Sequence, residues 1–241
     1  MRAEVRHQLK QDRFSKVTLE AAEKTVHWSE EHKSTLIISA IAVVVVAAVA
    51  FGGWYYVNRQ DEKASGELST AVRTFETPVR PAGVPAQPGN DTFASLQERA
   101  TAARKQFQAI VDQYPHTHTA DMARYFVGLA SAQMNDTATA ESNLQAAARS
   151  SNGDLAALGK FALASVYSGE NKDTQAIDLY KQLIDKPTLV VSKATAQLEL
   201  ADFYQSRQKP DDAKKLYDQV AKDNPSTEAA SLAQRRVAAL K

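Results

Sequence analysis

Apolar residues along this chain follow two different patterns. From Thr35 to Val57 they form an unbroken run of 23 residues without a charge, TLIISAIAVVVVAAVAFGGWYYV. Further on they recur at fixed intervals. A small residue is followed twelve positions later by Ala, then after four by a large apolar or aromatic residue, then after three by another apolar one. The rows are Gly128/Ala140/Leu144/Ala147, Ala164/Ala176/Tyr180/Leu183 and Ala201/Ala213/Tyr217/Val220, offset by 36 and 37 residues. A period in this range marks a stacked helical repeat, whose units need neighbours to bury their apolar faces.

Each row predicts a helix–turn–helix. The first small residue lies on helix A and the Ala twelve later on helix B, so that the two axes approach closely. The large residue four further on is one turn along the same face of helix B and fills the space between hairpins. Asn135, Asn171 and Gln208 fall at the turns, with Asp136, Asp173 and Asp211/Asp212 nearby as expected caps. Pro187 and Pro225 end two of the B helices. An extra half-row, Ala103/Phe107/Ile110 before Pro115, predicts one more B helix. Ser226 to Leu240 reads as a capping helix whose start suits Thr227 and Glu228.

At 1.5 Å per residue the uncharged run makes roughly 34 Å of helix, enough to cross a hydrocarbon core of about 30 Å. Trp54, Tyr55 and Tyr56 close it where an aromatic belt is expected, and Arg59, Asp61, Glu62 and Lys63 stop it. A core helix would not be apolar on every face. Ala48-Val49-Ala50 has the A-x-A form of a signal-peptide cleavage site, and a cut there would release a soluble domain. Against cleavage, the preceding arm has 34 residues and six acidic groups, and the apolar run continues past the cut. Three Lys/Arg flank the span closely on each side, so local charge does not orient it. A long domain translocates largely regardless of its charge, which leaves the arm, with seven Lys/Arg, in the cytoplasm.

The arm, residues 1–34, has no Gly or Pro and carries a ragged apolar stripe of Leu9, Phe14, Val17, Ala21 and Trp28. It suits a membrane surface or a partner, or is a charged extension that only sets topology. After the span, residues 58–91 read as a short helix over Ala64–Thr77 with Leu68, Val72 and Phe75 on one side, then a loop with four prolines and two glycines. Asp91 or Thr92 is the expected cap of the next helix. Helical patterns on both sides make this a long loop inside the first hairpin, with an interdomain linker as the alternative. Repeats then fill 92–241. The fold class is all-α: an N-terminal transmembrane helix followed by a right-handed helical solenoid.

The repeats resemble the tetratricopeptide repeat. Leu163, Ala164 and Tyr167, then Ala176, Tyr180 and Pro187, look like one unit; Leu200, Ala201 and Tyr204, then Ala213, Tyr217 and Pro225, look like the next. The first unit has Ser131 where an aromatic is usual, and Arg124, Lys160 and Gln197 stand where a tryptophan is often found. The resemblance implies a concave groove lined by helix A positions. Here these are Met122, Tyr125, Phe126 and Leu129, then Phe161 and Ser165, then Leu198, Glu199 and Asp202, with Arg235 and Arg236 closing one end. Such a groove is apolar at its start and acidic later, and suits segments held by a few large anchors. Tyr125, Phe126 and Phe161 fit a core better than a ligand contact.

A charged cytosolic arm, one span and a degenerate repeat domain together resemble the YfgM-like family of bacterial inner-membrane proteins. That resemblance implies a periplasmic repeat domain, association with the SecYEG translocon, and hand-over of emerging chains to periplasmic chaperones. An envelope-assembly scaffold and a homo-oligomer that uses its own stacked helices are the competing readings.

Composition narrows the chemistry. Net charge is +1, so no basic field points to nucleic acid. Without cysteine there is no disulfide framework, thiolate metal site or cysteine nucleophile. His7, His27 and His32 are scattered through the arm, and His116-x-His118 lacks residues to complete a metal shell. No phosphate-binding, nucleophile-elbow or zinc-protease motif occurs. The expectation is a non-enzymatic protein without metal or cofactor.

Overall fold

A computed structural model describes residues 32–85 and 91–240. The arm's stripe from Leu9 to Trp28, with His7 and His27, lies outside the described residues. The described chain is nearly all helix: α1 (Lys33–Glu76), α2 (Leu96–Gln113), α3 (His118–Gln133), α4 (Thr137–Ala148), α5 (Gly153–Gly169), α6 (Asp173–Asp185), α7 (Lys193–Ser206), α8 (Pro210–Asp223) and α9 (Glu228–Ala239). The chain falls into two compact units that divide between Tyr56 and Val57.

In the first unit, α1 is long and apolar enough to cross a membrane. Its apolar window has a mean hydropathy of 2.7 and none of it is buried within the protein. The short helix expected over Ala64–Thr77 is the last part of this 44-residue helix. Charges at Arg59, Asp61, Glu62 and Lys63 end the apolar run but not the helix. All four are compatible with helical backbone, and no Gly or Pro follows until Gly66.

In the second unit, hairpins follow one another, and consecutive helices from α2 to α9 pack together. Ala64 and Ala71 of α1 are buried with Ala103, Phe107 and Ile110 of α2 and with Ala123 and Val127 of α3. The end of α1 therefore serves as the A helix for α2, across the Pro-rich segment. That segment is pinned at its base. Arg80 N–H donates to Phe93 O (3.0 Å) and Phe93 N–H to Pro78 O (3.1 Å), and Val79 and Phe93 form an isolated parallel bridge. Because residues 92 and 93 are drawn into this bridge, helix α2 starts later than expected. Its cap is Ser95, not Asp91 or Thr92, with Ser95 Oγ accepting from Glu98 N–H at 3.0 Å.

The three A-to-B turns are alike. Asn135, Asn171 and Gln208 each take a positive φ, 57°, 59° and 59°. Asp136 caps α4, its side chain accepting from Thr139 N–H. Hydrogen bonding from the Thr139 side chain, then from its N–H, and after these Arg104, hold the Asp136 carboxyl below the usual carboxylate range. Asp173, Asp211 and Asp212 are not caps. They sit in the first turns of α6 and α8, where they favour the positive helix end, while Lys172 and Lys209 occupy the cap positions without a side-chain bond. A charged contact from the neighbouring unit holds each turn region: Arg104 on Asp136 (2.7 Å), Lys172 on Glu141 (2.7 Å) and Arg207 on Asp173 (2.9 Å). Arg207 also donates to Ser168 O at 2.6 Å, satisfying a carbonyl near the end of α5.

Candidate protein-binding surface

The small and large residues of the repeat rows are all buried. Gly128, Ala140, Leu144, Ala164, Ala176, Tyr180, Ala201, Ala213 and Tyr217 lie where A and B helices meet. Ser131 replaces the tyrosines at the matching positions 167 and 204. It is fully buried and its hydroxyl has no partner among the described residues. Tyr167 instead bonds Gln145 and Glu141.

The positions expected to line a groove divide into joined and isolated ones. Phe126 belongs to a core. It stacks on Phe107 at 4.9 Å between ring centroids and meets Phe75 edge-on at 6.1 Å. Tyr125 is half-buried, packs edge-on to Phe126 and, with Phe161, leans on the central core cluster. Its hydroxyl makes no hydrogen bond among the described residues, and burial pushes its pKa up. Phe161 sits edge-on to Tyr180 at 6.2 Å. Leu198 packs on the last core cluster, while Met122 and Leu129 are half-buried on α3. Ser165 and Arg235 are exposed and join nothing.

Glu199, Asp202 and Arg236 do come together. Arg236 lies 3.4 Å from Asp202, which also accepts the Tyr217 hydroxyl. Burial, then the Asp202 charge, pushes the Glu199 carboxyl up, against the pull of Arg236. Burial and the same two carboxylates push Tyr180 up to about 12. Tyr125 and Phe161 thus lean on one core cluster that contains the buried Tyr180, and Glu199, Asp202 and Arg236 lie further along the repeats.

Cavities lie elsewhere too. One of about 830 Å³ opens between α6, α7 and α8 and one of about 660 Å³ between α2 and α4, neither lined by a predicted groove residue. Met122 lines a third, of about 230 Å³, with Leu68, His118 and Leu155. Sequence reasoning missed the first of these. Its signal was Gln197, a polar residue on the apolar stripe of a helix A, which the structure buries. Among the described residues no group of three or more His, Asp or Glu could hold a metal.

Helical hairpins stacked in phase define a repeat-type protein. Residues 26–188 match the family model described as tetratricopeptide repeat-like domain, and residues 195–227 match a tetratricopeptide repeat. The chain belongs to the tetratricopeptide repeat-like family, whose repeats mark it as a protein–protein interaction adaptor. No curated protein matches it, and no solved structure does. Proteins built from these repeats are as a rule non-enzymatic scaffolds, and no catalytic family is indicated.

Proposed function

We propose that the protein is a bacterial inner-membrane adaptor that takes up chains emerging from the Sec translocon and passes them to periplasmic chaperones. In this reading 1–34 is a cytoplasmic arm and 35–57 the single span. Residues 58–91, a membrane-proximal helix and loop, and the repeats over 92–241 are periplasmic. The domain is a binder, not an enzyme.

The feature that carries the reading is the change along the A helices from the aromatic Tyr125 and Phe161 to the acidic Glu199 and Asp202. An unfolded secretory segment displays large apolar side chains and lysines or arginines. Tyr125 and Phe161 offer rigid aromatic surface to the former, and Glu199 and Asp202 attract the latter. Carboxylates flanked by like charge gain from an incoming cation. The exposed apolar stretch of α1 supplies the tether, and tethering lets a weak surface work by raising its local concentration. The layout shared with the YfgM-like family supports the translocon as the place of action.

A photo-crosslinking residue at the exposed Ser165, in native membranes, tests this. The translocon channel and secretory chains are the expected major adducts. Adducts only to unrelated envelope components, or none, would overturn it.

A further inference from the structure

We infer that the chain pairs with a second copy of itself through the α6–α7 connection and the cavity beside it. That connection, Lys186–Ser192, has seven residues, whereas the chain crosses from α2 to α3, α4 to α5 and α8 to α9 in four. The extra length makes a fixed projection. Thr188 N–H donates to Val191 O at 3.0 Å, Val191 N–H to Thr188 Oγ1 at 3.1 Å, and the Val191 side chain is buried in the core. At its tip Leu189 is 98% exposed and Val190 48%. The N–H groups of both find no acceptor among the described residues.

Next to this knob is a hole. The cavity of about 830 Å³ has an apolar floor of Ile184, Leu200 and Leu216, and its wall includes Pro187, which belongs to the same connection. Gln197 also lines it. That side chain is only 1% exposed, and its oxygen accepts no hydrogen bond among the described residues. A buried acceptor without a donor is a costly arrangement that an incoming N–H relieves.

Knob and hole are therefore complementary in two ways. The tip brings a leucine to an apolar floor, and free N–H donors to an orphan acceptor. The rim carries Lys181, Lys193 and Lys215 with Asp185 and Asp212, and Lys215 pairs with Asp212 at 3.2 Å, so the rim mixes both signs of charge. Pro187 and Leu189 are two residues apart, so knob and hole lie side by side on one surface. A two-fold axis between them places each copy's tip over the other's cavity, as an isologous interface requires. The loop is already held in shape, so little ordering opposes the contact. Tethering both copies in one membrane favours it further. The interface shares no residue with the predicted A-helix groove and leaves that surface free for cargo.

The chain has no cysteine, so introduced ones report alone. Full-length chains carrying Leu189→Cys and Gln219→Cys, co-expressed with different tags and oxidised in the membrane, should give a mixed disulfide dimer. Its yield should be at least tenfold above Leu189→Cys paired with Ser165→Cys. In mild detergent the full chain should have the mass of a dimer, and Leu189→Asp should weaken pairing by roughly tenfold or more, since it removes one buried leucine per tip. Leu189 is almost wholly exposed in the single chain, so the variant should keep the native helical circular dichroism while its pairing falls. A monomeric native chain, a dimer that survives Leu189→Asp, no mixed dimer above control, or Leu189→Cys captured mainly by a different protein would each overturn the pairing. Crosslinks from Ser165 to translocon and secretory chains test the adaptor reading separately and should persist in Leu189→Asp.

Discussion

Leu144 on α4 occupies the space that any side chain at Gly128 on α3 would need. A Cβ at Gly128 would stand 2.6 Å from Leu144 Cγ and 2.7 Å from its Cδ2. Leu144 is itself fully buried, and its backbone N would stand 3.3 Å from the same Cβ. Helix propensity favours Ala over Gly by about 1 kcal/mol, but overpacking a tight contact costs about 1–3 kcal/mol. Gly128→Ala should therefore be a net loss of up to about 2 kcal/mol. Leu144→Ala alone should cost about 2–5 kcal/mol through its cavity. The double variant should cost clearly less than the sum, because the alanine at 128 refills part of that cavity. Urea unfolding of the four chains in mild detergent checks this, and strict additivity would contradict it.

Gly159 on α5 is a tighter case with a different partner. A Cβ there would lie 2.5 Å from Ala148 N and 2.8 Å from Ala147 C, both backbone atoms at the end of α4. A side chain can turn away, but a helix terminus must move as a whole. Gly159→Ala should be the more damaging alanine, costing about 3 kcal/mol, and no substitution at Ala147 or Ala148 should rescue it. The same unfolding midpoints, set beside those of Gly128→Ala, decide the order.

These two glycines also show how far the sequence could be read. Gly128 heads a repeat row, and its role followed from the recurrence of small residues every 36 or 37 positions. Gly159 belongs to no row. Its need for smallness comes from how one hairpin leans on the next, which no single helix encodes. The turns at Asn135, Asn171 and Gln208 were legible because residue type and repeat phase agreed. The caps at Asp173 and Asp211/Asp212 were not, because an acidic residue near a helix start reads the same whether it caps or sits one turn in. The continuity of α1 was missed because charges that end a membrane run do not end a helix. Of the expected groove positions, Glu199, Asp202 and Arg236 were named from the resemblance to known repeats, and the Arg236–Asp202 contact needed the fold. The cavity beside α7 needed the three-dimensional placement of α6, α7 and α8.

Gln208 carries a conformational cost that its counterparts reduce. All three turn residues are left-handed, but Asn tolerates that region better than Gln, and Gly accepts it freely. Gln208→Gly should stabilise the domain by about 0.5–1 kcal/mol, and Gln208→Asn by somewhat less. Asn171→Gln should destabilise by a similar amount. For a domain of this size about 1 kcal/mol is a shift of roughly 2–4 °C, within reach of a thermal melt followed by circular dichroism.

The carboxylate pair on α7 makes stability depend on pH in a definite sense. Burial and the Asp202 charge raise the Glu199 pKa in the folded state above its ordinary value, so the folded chain holds that proton more tightly than the unfolded one. Its contribution is complete below the ordinary glutamate range near pH 4.3 and is lost as pH rises through the folded value. Ionised Glu199 is therefore a liability at neutral pH. Glu199→Gln should melt higher than the native chain at pH 7, and the difference should shrink as pH falls toward 4. Arg236→Ala removes the opposing positive charge, so it should push the Glu199 pKa further up and carry the loss of stability to higher pH. A lysine-bearing peptide should bind the native chain better than Glu199→Gln at pH 7 and lose that preference on acidification. Melting curves from pH 4 to 8 and a peptide titration at both ends measure the two effects. A Glu199→Gln advantage that grows toward acid would mean the carboxylate is stabilised in the fold.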